Sequence, residues 1–517
     1  GMFGSNVLVE AQAANHFDET TEKDYANIES IIDLRTTPSR LYGGLGFASV
    51  DKNRNLQGAL KLTYIVPNLA GRHEFKIGGN FQRLEYEHTT NYTGEKHCFQ
   101  FYDAATGTIK EKCTTTGNII RWRIFNSKIC TALGFSRPCA RVDLRRNRVS
   151  PNTLEVSTDY LNFFAQDSWS ILPNLTLKLG VRWERQHLKG AGDLAQEVTL
   201  SNNWSPRVGF VWDFLNDRKG KIYAYYGRFY EKIPLDAVFR SLSSEESIDI
   251  FSAAPLNADP FAWLDYITNL NYQYLVIEYG ATPTIWCDGK SFIDKKTGQE
   301  VSDEPWCKGV KMKAQHVHEF TVGFERQVFE DIVVSARYQR RWIGQVIEDT
   351  QLNTARDIFV TQTSQSGLPV DFGTFVVTNP SAKYKCEPGD DVKMYDPVHE
   401  VVLGCSSPGQ LFPDPKRDYN AFELAVTKRF SKNWQVQAAY RYATLRGHYS
   451  GLYFPEYGQS DPNITALYDF PQNDDIMGFT YIDGPLPGER LHVARIFGSY
   501  SFNFGLNLGV GLSLESG

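Results

Sequence analysis

Residues 175–184 read Leu-Thr-Leu-Lys-Leu-Gly-Val-Arg-Trp-Glu. Leu175, Leu177, Leu179, Val181 and Trp183 alternate with Thr176, Lys178, Gly180, Arg182 and Glu184. A strand sends successive side chains to opposite faces, so this segment has one greasy face and one polar, charged face. The alternation recurs at Phe422, Leu424 and Val426 against Glu423, Thr427 and Arg429. It recurs again at Leu506, Leu508, Val510 and Leu512 against Asn507, Gly509 and Ser513. With the apolar faces in lipid and the polar faces toward a lumen, this is the pattern of a transmembrane antiparallel β-barrel. It predicts that Leu175, Leu177, Leu179, Val181, Leu424, Val426, Leu508 and Val510 point to lipid.

Such ribbons come in pairs joined by tight turns. Six hairpins are predicted: 56–66 with 74–82, 160–170 with 175–184, 207–214 with 222–230, 319–328 with 332–341, 422–430 with 434–442, and 493–502 with 506–514. The turns are rich in Pro, Asn, Asp and Gly, as tight connections require. Between hairpins the connections are long, spanning about 88–158, 187–204, 231–315, 342–418 and 445–490. Long loops without structure of their own are uncommon in compact domains and usually carry function. Strict alternation of short and long connections puts every tight turn at one end and every long loop at the other. Outer-membrane barrels sort their connections this way, with short periplasmic turns and long extracellular loops, whereas a soluble sandwich has no reason to.

Composition agrees. In 517 residues, charged side chains make up 22%, the mean hydropathy is −0.38, and no segment approaches the ~18 continuous apolar residues of a membrane helix. Barrel strands escape that test because only half their residues face lipid. Aromatic residues reach 14%, which suits interfacial girdles. A net charge of −6 argues against a nucleic-acid partner.

All eight cysteines fall in the predicted outer loops, in local pairs: Cys98 and Cys113, Cys130 and Cys139, Cys287 and Cys307, Cys386 and Cys405. Even number and local pairing indicate disulfides made in an oxidising compartment. Crossed pairing among the first four is the alternative. Closing a loop of about 15 residues stabilises it by roughly 3 kcal/mol in the chain-entropy model.

No motif calls for catalysis, a cofactor or a metal. Gly289-Lys290-Ser291 lacks the upstream glycine of a phosphate loop, since position 284 is Thr. Gly43-Gly44-Leu45-Gly46 lacks dinucleotide-binding spacing. His316 and His318 share one strand face next to Glu319 and read as polar groups of the lumen wall, because two histidines make an incomplete metal site. Charge in the loops is uneven. Residues 96–157 hold eleven Lys/Arg against four Asp/Glu, densest at Arg141, Arg145, Arg146 and Arg148. Residues 231–315 hold eight basic and thirteen acidic residues, interleaved with Trp263, Tyr266, Tyr272 and Trp286. The plain reading is solvated loop surface with salt bridges between loops. The functional reading makes the aromatic segment a ligand vestibule, with the basic segment apart from it, near anionic lipid headgroups or a protein partner.

Several segments resemble the barrel of TonB-dependent outer-membrane receptors, in particular their Oar-like branch. These are Asn162-Phe163-Phe164-Ala165-Gln166-Asp167-Ser168-Trp169 with Asn174 to Trp183, Ser205 to Phe210 with Tyr226 to Tyr230, Tyr419 to Phe430, and Leu486 to His492. The resemblance implies an all-β barrel of the 22-stranded type around a plugged lumen, set in the bacterial outer membrane among lipid and lipopolysaccharide. It also implies that residues 1–517 are an incomplete barrel portion, with the plug domain, the TonB-contact segment and the last strands absent. On that basis the outer loops capture a substrate, and energy relayed through the TonB complex moves it past lumen residues such as Arg182, Glu184, Arg429 and Arg441. The alternative is a surface scaffold or adhesin that uses the loops to bind a protein partner.

Overall fold

The computed structural model describes residues 1–23, 25, 30–33, 40–93, 98–103, 108–113, 119–125, 139–146, 153–192, 195–243, 247–254, 259, 275–279, 285–286, 292–293, 300–301, 312–351, 375–381, 392–395, 400–403, 414–451 and 483–516. A 15-stranded antiparallel sheet forms the wall. Apart from the two-residue strands Met2–Phe3 and Gly484–Pro485, its strands follow one another in chain order. They are β1 (Val7–Glu22), β2 (Phe47–Val66), β3 (Arg72–Tyr92), β4 (Thr153–Leu172), β5 (Leu175–Lys189), β6 (Glu197–Trp212) and β7 (Gly220–Tyr230). The series continues with β8 (His316–Gln327), β9 (Ile332–Gln345), β10 (Arg417–Ser431), β11 (Trp434–Gly447), β12 (His492–Ser501) and β13 (Asn507–Glu515). Among the described residues the sheet is not closed: β1 pairs only with β2 and Met2–Phe3, and β13 only with β12.

Register fixes the two faces of the wall. Leu179 opposes Val208, which opposes Tyr226, which opposes Phe320. On the same face, one step along the strands, Val322 opposes Tyr338, which opposes Phe422, which opposes Tyr442. Leu508, Val510 and Leu512 lie opposite Tyr500, Gly498 and Ile496. Leu179, Val181, Leu424, Val426, Leu508 and Val510 are among the exposed apolar side chains, Leu179 at 44% and Val510 at 63%. Such exposure suits hydrocarbon rather than water. The band has aromatic rims. Trp204 and Trp212 share β6 and this face, eight residues apart. That is roughly 27 Å along a strand, or roughly 21 Å across a bilayer at a ~40° tilt, close to the ~25 Å apolar band of such barrels.

The tight turns are built as the sequence indicates. Ser431 pairs with Trp434 around Lys432 and Asn433, whose φ values are 49° and 68°. Two left-handed residues give the mirror-image turn that matches strand twist. Lys428 belongs to the row of Leu424 and Val426, yet it is only 5% exposed. Its stem bends back to this turn, where Nζ donates to Ser431 Oγ at 2.7 Å, pairs with Asp331 at 2.9 Å and lies 4.2 Å above the Trp434 ring. A cation on the lipid row is tolerable when its head reaches the polar boundary in this way.

All six expected hairpins are present, with three departures. The connection expected at 187–204 shrinks to residues 190–196, because β5 and β6 run on past their apolar stretch. There the alternation is polar, and Gln186 and Asn203 are buried, so periodicity gave no signal. β1 was not anticipated, since Glu10-Ala11-Gln12-Ala13-Ala14-Asn15 offers little apolar contrast. His316 and His318 are not lumen groups. They fall in the row of Phe320, with Tyr226 and Trp342 as neighbours, on the outer face. Period two sets them opposite to Glu319. The His318 ring stacks on Trp342 at 5.0 Å and its Nδ1 lies 2.9 Å from the Tyr226 hydroxyl, as part of the outer aromatic rim.

At the loop end, the segment after β7 turns into the lumen. Helix α1 (Leu235–Ser241) and its flanks bring Ile233, Ala237, Val238 and Leu242 against Leu154, Val156, Leu188, Val198 and Leu200. Gln186 fixes this segment by donating from Nε2 to Ile233 O at 2.9 Å and accepting from Ile233 N at 3.0 Å. Gly190 is required for close approach: a Cβ there would sit 2.0 Å from Leu242 O.

Candidate functional site in the lumen and its mouth

The lumen row is made of the residues between the lipid-facing ones. On β4–β6, Arg182 Nε donates to Glu184 Oε1 at 2.8 Å, and its Nη2 donates to the Tyr160 hydroxyl at 3.2 Å. The Tyr160 hydroxyl donates in turn to Glu184, and Ser205 Oγ donates to Glu184 Oε2 at 3.2 Å. Lys232 lies 4.0 Å over the Tyr160 ring and donates to Gln82. Every member of this cluster has a partner, so it rigidifies the wall beneath α1.

Across β7–β13 the lumen row carries Lys221–Glu325 at 2.9 Å, Arg341–Glu319 at 2.6 Å, Arg337–Glu423 at 3.1 Å and Arg495–Glu515 at 3.2 Å. Arg417 and Arg441 share this face. Among the described residues neither forms an ion pair, and the buried Nε of each has no hydrogen-bond partner. Both line a cavity of about 830 Å³ at the mouth, together with Arg341, Tyr419, Tyr449 and Glu231. Gln315 Nε2 donates to Glu231 at 2.5 Å. The volume is in the range of small-ligand sites.

The loops build a sheet of their own. Cys139–Arg146 pairs with Ile119–Phe125 on one side and Ser247–Ala254 on the other, in a six-stranded sheet that also takes in Ser30–Asp33, Arg40–Gly43 and Leu275–Tyr279. The basic segment therefore does not stand apart from the acidic one. Arg145 is in register with Asp249, and Arg141 with Ala253. Backbone pairing between loops overrides the separation that charge content suggested.

Trp286 is also placed differently from expectation. It is 2% exposed, its Nε1 donates to Ser241 Oγ at 3.0 Å, and its backbone N–H donates to Gln196 Oε1 at 3.1 Å. Its ring packs in the apolar core around α1, which leaves no face for a ligand. Arg148, Trp263, Tyr266 and Tyr272 lie outside the described residues, as do Cys130, Cys287, Cys307, Cys386 and Cys405 and the Gly289-Lys290-Ser291 segment. Cys98 and Cys113 are directly opposite each other in the hairpin Cys98–Asp103 with Thr108–Cys113. Arg417 and Arg341 were not singled out from sequence; their unpaired or cavity-lining positions depend on which loops cover them.

Comparison with known proteins gives a consistent identity. Over 481 residues the chain is 27% identical to the TonB-dependent transporter Oar of Myxococcus xanthus, a match that covers 91% of this chain and 38% of the relative. The chain thus spans well under half the length of that relative. Among solved structures, the outer-membrane transporter YddB of Escherichia coli superposes with a TM-score of 0.51 at 12% identity, over 99% of this chain and 49% of that one. At that identity the likeness speaks for the fold. The model of the outer membrane beta barrel domain matches residues 11–196 and 188–507. With its lipid-facing band, polar lumen and sorted connections, the chain belongs to this family of bacterial outer-membrane β-barrels.

Proposed function

We propose that the chain forms the barrel wall of a TonB-dependent outer-membrane receptor, whose extracellular loops capture a substrate that TonB-relayed energy then moves across the membrane. The observation that carries this reading is the 27% identity to a TonB-dependent transporter along 91% of the chain, on a wall with a continuous polar lumen. The two open edges support it as well. Unpaired backbone groups are prohibitive in hydrocarbon, so strands from elsewhere in the polypeptide are expected to complete the barrel. Disulfides within the loops would brace them, and the cross-strand register of Cys98 with Cys113 supports the first pair. Arg141, Arg145, Arg146 and Arg148 would then serve the loop sheet together with the acidic strand, and Trp263, Tyr266 and Tyr272 would face the captured substrate.

The test is co-purification of the full-length protein with the periplasmic domain of TonB. The receptor reading expects a complex. A surface scaffold or adhesin expects none, and its absence would favour a role confined to loop-mediated binding of a protein partner.

A further inference from the structure

Three lumen arginines, Arg207, Arg417 and Arg441, have a buried Nε without a hydrogen-bond partner among the described residues. Arg207 lies over the Phe229 ring at 5.0 Å, whereas Arg417 and Arg441 share a cavity, on a wall where the neighbouring cations Arg341, Arg337 and Arg495 each have a carboxylate. An unmade hydrogen bond from a buried charged donor is costly and calls for an explanation; an anion in the cavity would supply the missing acceptor. Guanidinium is always charged and presents a planar fork suited to carboxylate and phosphate oxygens. The cavity shared by Arg417 and Arg441 also holds Arg341, with Glu231 on its lining and Glu319 behind Arg341. Positive charge is in excess there, although the chain as a whole carries −6.

The two arginines stand at different heights. Arg417 is in register with Gly447, and Arg441 with Glu423, six residues further along β10. This separates their backbones by roughly 20 Å along the strand. Long side chains shorten the gap, but a single small anion meets only one of them. Between them Arg341 is in register with Tyr419, and Tyr419 and Tyr449 contribute to the cavity wall.

We infer that this cavity binds an elongated small ligand carrying an oxyanion, carboxylate or phosphate, toward each end, one held by Arg417 and the other by Arg441. The inference rests on the reading of the lumen as a substrate path, and it names the class of substrate. The ligand is recognised by its two charges and their spacing, with the tyrosines against its middle.

The test uses full-length protein in detergent micelles, without TonB, so that it is independent of energised transport. Linear dicarboxylates, succinate and sebacate, and their bis-phosphonate counterparts are titrated by calorimetry. Binding is expected to strengthen from succinate to sebacate and to weaken as salt is added. Arg417→Gln and Arg441→Gln each weaken sebacate about tenfold, the loss of one charge-assisted contact, while Arg495→Gln, paired with Glu515 outside the cavity, leaves it unchanged. Retention of the folded band on unheated gels controls for barrel integrity. No sebacate binding by folded wild-type protein would overturn the proposal. So would equal affinity for both lengths, or unchanged affinity in the two arginine variants. Preference for bis-phosphonates over dicarboxylates identifies the oxyanion as phosphate, with the proposal standing. A failed TonB co-purification beside length-dependent binding would overturn the transport reading alone.

Discussion

The Arg182 cluster of β4–β6 and the arginines of the β9–β11 cavity face one lumen and are treated in opposite ways. At β4–β6, Arg182 sits in a closed network with Glu184, Tyr160 and Ser205, roofed by α1 and its apolar core. At β9–β11, Arg417 and Arg441 border an open cavity with unpartnered Nε groups. The residue type is the same. The difference lies in whether the protein completes the arginine's own hydrogen bonds, and this separates a structural arginine from one available to a ligand.

The comparison can be broken by mutation. Glu184→Ala leaves Arg182 without its carboxylate beneath α1, and loss of one partner of a buried pair costs about 3 kcal/mol. Denaturant unfolding in lipid vesicles should show that loss, whereas Arg441→Gln should leave stability within about 0.5 kcal/mol. Equal destabilisation by both would erase the distinction. A second contrast is between faces of one strand. Leu179→Arg on the lipid face is expected to cost ~2–4 kcal/mol near the midplane, and Lys178→Glu on the lumen face much less. Gly190→Ala pushes a methyl group into Leu242 O and should destabilise by about 1–3 kcal/mol, with hydrogen exchange accelerating in residues 233–243 before the wall responds.

How much of this was legible in the sequence depends on lipid. Where one face meets hydrocarbon, as at 175–184, 422–430 and 506–514, period two is enforced and the hairpins can be read directly. Above the membrane both faces are polar, so the extensions of β5 and β6 and most of β1 carry no such signal. His316 and His318 show the same boundary. They are polar residues on the lipid-side row because the aromatic rim, with Trp342 and Tyr226, accepts them there. The candidate site was only partly visible. Arg441 was legible as a lumen residue from its place in an alternating strand, but its lack of a partner is a property of neighbouring strands and loops. Trp286 was misread because an aromatic residue in a polar loop looks available until Ser241 and Gln196 are seen to hold it.

A smaller effect tests the turn end. Asp217 accepts from Lys219 N–H at 2.9 Å and pairs with Arg326 at 2.7 Å, and Arg326 is the main cause of a carboxyl held below the usual aspartate range. A depressed pKa means that the ionised form supports the fold. This contribution is present above about pH 4 and is lost as pH falls through the lowered value. The Lys219 amide shift should therefore titrate below a free aspartate. Titration at or above the free value would remove the contrast with the unpaired cations of the mouth.

The facing of the wall decides everything built on it. It is tested most directly by placing a photo-reactive diazirine amino acid at position 178 or 179 of the full-length protein in native outer membranes. Crosslinking to lipid acyl chains should occur from 179 and be absent from 178. Lipid adducts from 178, or equal yields from the two positions, would contradict the barrel wall described for this chain.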